Sequence, residues 1–161
     1  MKLTIHPATS DDDIAAVREL FVEYENFLGF DLCFQGFEQE LASLPGDYGS
    51  PRGCLLLARG PRDEVAGCVA VRPFDDAVCE MKRLYLRAPF RGHGQGRRLA
   101  VAIVEAAREI GFSAMRLDTV GRLTESIALY RSIGFVDIPP YRENPHEDVV
   151  YLELALTQGR P

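Results

Sequence analysis

The chain has 161 residues, 47% of them apolar, and its 18 basic and 24 acidic side chains leave a formal charge of −6. That length suits one globular domain spanning 1–161, with a core that needs no disulfide or metal staple. The acidic balance disfavours general nucleic-acid binding, and no apolar run approaches the roughly 18 residues of a membrane span.

MKLTIH reads as a first strand, followed by TSDDD, in which Ser10 is an N-cap candidate and the aspartates suit a positive helix end. This N-terminus has no apolar signal-peptide core, so a cytoplasmic location is expected. Ile14, Val17, Phe21, Tyr24 and Leu28 recur at three and four residues, the apolar face of a helix that Gly29 stops. FQGFEQELASL (Phe34 to Leu44) predicts a second, short helix. CLLLA (Cys54 to Ala58) and EVAGCVAV (Glu64 to Val71) flank GPRD as a hairpin, and AVCEMKRLYL (Ala77 to Leu86) is a third strand of this run. A glycine-rich loop then opens a helix from Arg97 to Ile110. AMRLDT (Ala114 to Thr119) is a strand and TESIALYRSI (Thr124 to Ile133) a helix closed by Gly134. FVDIP and EDVVYLELAL are the last strands. The order β-α-α-β-β-β-α-β-α-β-β describes an α/β mixture around one sheet. Cys33, Cys54, Cys68 and Cys79 are spread singly and read as reduced thiols; His6, His93 and His146 have no ligand spacing, so no metal is expected.

RGHGQGRR, Arg91 to Arg98, lies between a strand and a helix, which places several backbone N–H groups at a positive helix end. Glycine lets a phosphate approach the backbone, and Arg97 and Arg98 add charge. A bare G-x-G reads more readily as a flexible corner with solvated arginines. Gly96-Arg97-Arg98 lacks the lysine of a P-loop, and G-x-G-x-x-G fails from either Gly92 or Gly94 because Arg97 or Leu99 takes the third glycine's place.

Arg91-Gly92-His93-Gly94-Gln95-Gly96 does match [RQ]-x-x-G-x-[GA], and ALYRSIGF (Ala128 to Phe135) is similar to A-x-x-LY-x-x-x-GF. Together with MKRLYLRAPFRGHGQGRRL and the element order, they resemble the GCN5-related N-acetyltransferase (GNAT) superfamily over about residues 1–157. The resemblance implies an acyl-CoA N-acyltransferase fold: a mostly antiparallel central sheet in which one parallel pair splays apart to admit the thioester. It implies acetyl transfer from acetyl-CoA, without metal, to a primary amine of a small molecule (an amino-acid-like one is compatible) or of a protein. A CoA-binding regulatory domain without turnover is the alternative. No nucleic-acid or membrane partner is implied, and a homodimer is allowed for.

Carried over, backbone groups of Leu84, Tyr85 and Leu86 hold the pantetheine and the thioester carbonyl, and N–H groups of Arg91, Gly92, His93, Gly94, Gln95, Gly96 and Arg97 hold the pyrophosphate. Tyr130, at the LY position, is the acid candidate for the leaving thiolate; on helical spacing with Ile127 and Ile133 it also reads as core. The Asn often found upstream in that helix motif is absent, with Leu123 near its place. An alkylamine has a pKa near 10 and must lose a proton before it attacks. Glu80, eleven residues before Arg91 as in related histone acetyltransferases, is the base candidate, with a Glu80–Lys82 ion pair as the plainer reading; an ordered water chain in place of a dedicated base, as in many relatives, and a Glu80 that binds the cationic end of the amine are the alternatives. Strict alternation puts Glu80, Lys82 and Leu84 on one face and Met81, Arg83 and Tyr85 on the other. The acceptor site is expected along the first helices and the last loop, from Tyr24, Phe27, Asp31, Phe34, Gln35, Tyr48, Tyr141, Arg142 and Asn144. Tyr24, Phe34, Tyr141 and Arg142 lead this set, Arg142 as a partner for a substrate carboxylate.

Overall fold

The computed structural model describes residues 2–29, 36–144 and 148–156. Its elements are β1 (Thr4–Pro7), α1 (Asp11–Leu28), α2 (Phe37–Ser43), β2 (Cys54–Arg59), β3 (Val65–Pro73), β4 (Val78–Leu86), α3 (Gln95–Ile110), β5 (Ala114–Val120), α4 (Thr124–Ile133), β6 (Val136–Asp137) and β7 (Val149–Ala155). The order is the expected one, with boundaries moved by a few residues. β3 runs on to Pro73, α3 begins two residues earlier than Arg97, and FVDIP contributes only two residues of strand. The expected start of the second helix at Phe34 lies outside the described residues.

Local chemistry explains the helix ends. Ser10 Oγ accepts the Asp13 N–H at 3.1 Å, three aspartates fill the first turn of α1, and Gly29 ends the helix at φ 79°. Gly111, at φ 111°, closes α3 in the same way.

The strands form one seven-stranded sheet ordered β1-β2-β3-β4-β5-β7-β6. Each adjacent pair is antiparallel except β4·β5. A helix layer covers each face. On one side α3 and α4 bury Leu99, Ile103, Val104, Tyr130 and Phe135 against Val69, Val71, Met81, Met115 and Leu117. On the other, α1 and α2 bury Val17, Leu20, Phe21 and Phe37 against Leu55, Leu57, Cys68 and Ala70. Cys54, Cys68 and Cys79 are free thiols, the last two buried. Among the described residues no helix is long and apolar enough to cross a membrane, and no three His, Cys, Asp or Glu side chains cluster as a metal site.

Two irregularities position the site. The β4·β5 ladder ends at Glu80↔Arg116, although β4 stays paired with β3 out to Leu86 and β5 with β7 out to Val120. The two halves of the sheet thus hold together internally and part from each other. The second is a bulge in β4: Ala70 faces Lys82 but Cys68 faces Tyr85, so Arg83 and Leu84 together oppose Val69. Arg83 adopts φ 62°. The expected alternation fails there. Lys82 and Arg83 both lie on the α1/α2 face, whereas Leu84 joins Cys79 and Met81 in the α3-side core.

Candidate active site

The gap between β4 and β5 opens on the α3 side into a groove of about 610 Å³. Leu84, Tyr85 and Leu86 line it from β4, and Arg91, Gly92, Gly94, Gln95, Gly96 and Arg97 line it from the loop and the start of α3. The loop curls through three successive left-handed residues, Gly92 (φ 88°), His93 (φ 54°) and Gly94 (φ 75°). A Cβ on Gly92 or Gly94 meets nothing within 4 Å, so glycine is needed there for the backbone angle rather than for room. His93 is exposed and outside the groove lining.

α3 starts at Gly94 with no side-chain cap, and α4, whose first residues Thr124 to Ser126 also line the groove, starts at Leu123 with none. Two helix N-termini therefore open into one groove, each with N–H groups that its own helix cannot satisfy. Facing an elongated anionic ligand, that is a cradle.

The arginines divide the work. Arg97 donates to Ser132 Oγ at 2.5 Å, tying the cradle to α4. Arg91 donates from Nε to the Leu86 carbonyl at 2.8 Å, and its guanidinium lies over the rings of Phe27 (4.9 Å) and Tyr85 (5.7 Å). Arg98 turns away: it donates to the Leu3 carbonyl at 2.9 Å and to Gln95 Oε1 at 2.9 Å, so it braces β1 rather than adding charge to the loop. Phe27, expected in the acceptor site, stands instead in this groove, as does Arg122, which donates to the Leu28 carbonyl. Neither belongs to a motif; only the docking of α1 beside the β5–α4 turn brings them there.

Tyr130 is buried in the α3-side core with its ring edge-on to Phe135 at 5.8 Å. Burial, with the Tyr24 phenol nearby, raises its pKa above the ordinary tyrosine value, so the hydroxyl stays protonated at neutral pH. Tyr24 belongs to the opposite helix layer and packs edge-on to Tyr85 at 6.1 Å. The two phenols thus influence each other from opposite faces of the sheet, in the region where it has parted.

Across the sheet, on the α1/α2 face, the site is charged. Glu80 is fully buried. Its Oε1 accepts from Arg72 Nη2 at 3.1 Å, and its Oε2 accepts the Tyr141 hydroxyl at 2.9 Å and is ion-paired with Arg142 Nη2 at 2.6 Å. Burial alone raises its pKa, but Lys82, Arg142 and Arg72 outweigh it and hold the carboxyl at about 2. A carboxylate so stabilised has little appetite for a proton. Arg142 is committed as well, its Nη1 lying 3.6 Å from Asp118 Oδ2, which makes it a neutraliser of two carboxylates rather than an open receptor for a substrate's. Tyr141 packs between Phe74 (5.3 Å) and Tyr151 (5.2 Å). Lys82 is buried, and burial draws its pKa down to about 8 against the pull of Glu80. Tyr48 lies beneath α1, edge-on to Phe21. Asp31, Phe34 and Gln35 lie outside the described residues.

Two groups here carried no motif. Arg83 forms a double hydrogen bond with Glu40 of α2, both at 2.9 Å, with the pair almost wholly buried. Asp118 sits on β5 with its side chain 6% exposed. Alternation along AMRLDTV was the one available signal for Asp118: Met115 and Leu117 enter the core, and Arg116 and Asp118 face the other way.

A parted parallel pair beside an uncapped glycine-rich helix start is the acyltransferase architecture implied by the sequence resemblance, and the comparisons agree. The acetyltransferase (GNAT) family profile matches residues 14–135. An uncharacterised N-acetyltransferase of Schizosaccharomyces pombe is 38% identical over 157 residues, spanning 97% of this chain and 96% of its own. Among solved structures, a GNAT acetyltransferase from Staphylococcus aureus superposes with a TM-score of 0.79 at 16% identity, covering 96% of this chain and 99% of that one. A phosphinothricin acetyltransferase from Sinorhizobium meliloti, solved in complex with AcCoA, has a TM-score of 0.71 at 20% identity, covering 97% of this chain and 89% of that one. The chain belongs to the GNAT acetyltransferase family and is an acetyltransferase.

Proposed function

We propose that the protein moves an acetyl group from acetyl-CoA to the primary amine of a small molecule by direct attack on the thioester. The observation that carries this reading is the groove itself, which runs from two uncapped helix N-termini to the gap where β4 leaves β5. The helix ends and the loop from Arg91 to Arg97 hold the pyrophosphate, with Phe27 and Arg91 as one wall. Beyond Glu80 the β5-facing edge of β4 lacks a strand partner, which leaves backbone groups near Leu84 to Leu86 for the pantetheine and for the developing oxyanion. Tyr130 donates a hydrogen bond to the departing sulfur. A thiolate is a good leaving group, so a phenol with a raised pKa serves without full proton transfer.

Glu80 anchors Tyr141 and Arg142, its ionised form already held by two arginines, so the proton shed by the attacking nitrogen passes through water to solvent while CoA departs as the thiolate. The free thiols favour a reducing, cytoplasmic setting. Thiol release from acetyl-CoA, measured over a panel of primary alkyl and arylalkyl amines, tests the reading. Saturable, amine-dependent release is expected; CoA binding without release on any amine overturns it in favour of a domain that only binds.

A further inference from the structure

Asp118 lies on β5 two residues beyond Arg116, and Lys82 on β4 two residues beyond Glu80, where Glu80↔Arg116 is the last pair before the strands part. Both side chains alternate with core residues of the α3 side (Leu117 and Met81), so they face each other across the opening gap on the α1/α2 face. Asp118 Oδ2 is buried and has no hydrogen-bond partner among the described residues. Arg142 Nη1, at 3.6 Å, attracts it without bonding to it. Tyr151, its cross-strand neighbour on β7, directs its hydroxyl to the Arg142 carbonyl at 3.3 Å instead.

An ionised carboxylate can only accept hydrogen bonds, and buried carboxylate oxygens are ordinarily matched by an N–H or O–H donor. The opposite face of the same gap holds the groove assigned to the thioester, so Asp118 stands across the parted strands from that groove. We propose that Asp118 is the acceptor-binding residue, receiving the primary ammonium or amine that is to be acetylated. The assignment rests on the acetyl-transfer reading for what happens to the nitrogen, though not for its binding. Glu80 and Arg142 hold the surrounding charge in place.

The test uses CoA-loaded protein with 2-phenylethylamine and butylamine as probes. Amine affinity is measured by NMR titration, acetyl transfer by thiol release, and CoA affinity by calorimetry, for the parent protein and Asp118→Asn. The expected result is at least a tenfold loss of amine affinity and of kcat/KM, with CoA affinity within twofold. In the unsubstituted protein the carboxyl carbon resonance of Asp118 should move on saturation with amine, a readout that survives even if the variant does not fold. Unchanged amine affinity and kcat/KM in the variant overturn the assignment, as does an unmoved resonance, which leaves only water at Asp118. Asp118-dependent amine binding without transfer overturns the acetyl-transfer reading and keeps the amine site; transfer that ignores Asp118→Asn does the reverse.

Discussion

The two faces of the parted strands are built on opposite principles. The α3-side groove works through backbone: left-handed glycines, two uncapped helix starts and an unpaired strand edge, with arginines tied to carbonyls and hydroxyls around it. The α1/α2 side works through buried or half-buried side chains: Arg83 is paired with Glu40, Arg142 lies against Glu80 and Asp118, and Lys82 is buried within their field. A backbone cradle suits a constant ligand, since it recognises phosphates and amides whatever side chains surround it. A network of paired charges can be rearranged by single substitutions, which suits the half proposed to receive the acceptor. The two halves should therefore fail differently.

The largest effect is expected from Arg83→Ala. It leaves Glu40 buried without its partner and should destabilise the fold by about 3–5 kcal/mol. Urea denaturation measures this, and a loss below about 1 kcal/mol removes the pair from the account of how α2 is held over the bulge.

Acid should act next, through Glu80. Its folded-state pKa of about 2 lies below the ordinary value of 4.5, so its ionised form stabilises the fold above about pH 4.5, and that contribution is lost as pH falls toward 2. The contribution is of order 3 kcal/mol. The stability gap between the protein and Glu80→Gln should narrow steadily from pH 5 to pH 2.5; a constant gap contradicts the assigned ion pairs.

On the cradle side, Gly94→Glu forces a charged, β-carbon-bearing residue into φ 75° at the helix start. CoA affinity should fall by about 100-fold, through backbone strain and charge repulsion together. Calorimetry with CoA decides, and the urea midpoint should move far less than in Arg83→Ala. The smallest effect belongs to Tyr130→Phe: kcat lower by about tenfold with CoA affinity kept. An unchanged kcat returns Tyr130 to a packing role beside Phe135.

Much of this was legible in the sequence, and the reason is locality. Glycine spacing, the ALYRSIGF segment and helical periodicity act within a few residues of chain, so the order of elements and the groove-lining residues from Leu84 to Arg97 could be read before any fold was known. His93 and Arg98 show the limit, because sharing a motif did not put either into the groove. Strict alternation along β4 misled at one place, since the bulge at Arg83 depends on pairing with β3.

What the sequence by itself determined is the scaffold and its cradle, through propensities and turn chemistry that the backbone obeys locally. What only the tertiary structure decided is the charge partnership of the other face. Glu80 meets Arg142 across 62 residues of chain, and Arg83 meets Glu40 across 43. Coulombic and hydrogen-bond energies depend on distance and burial in the folded state, and neither is written into the spacing of residues along the chain.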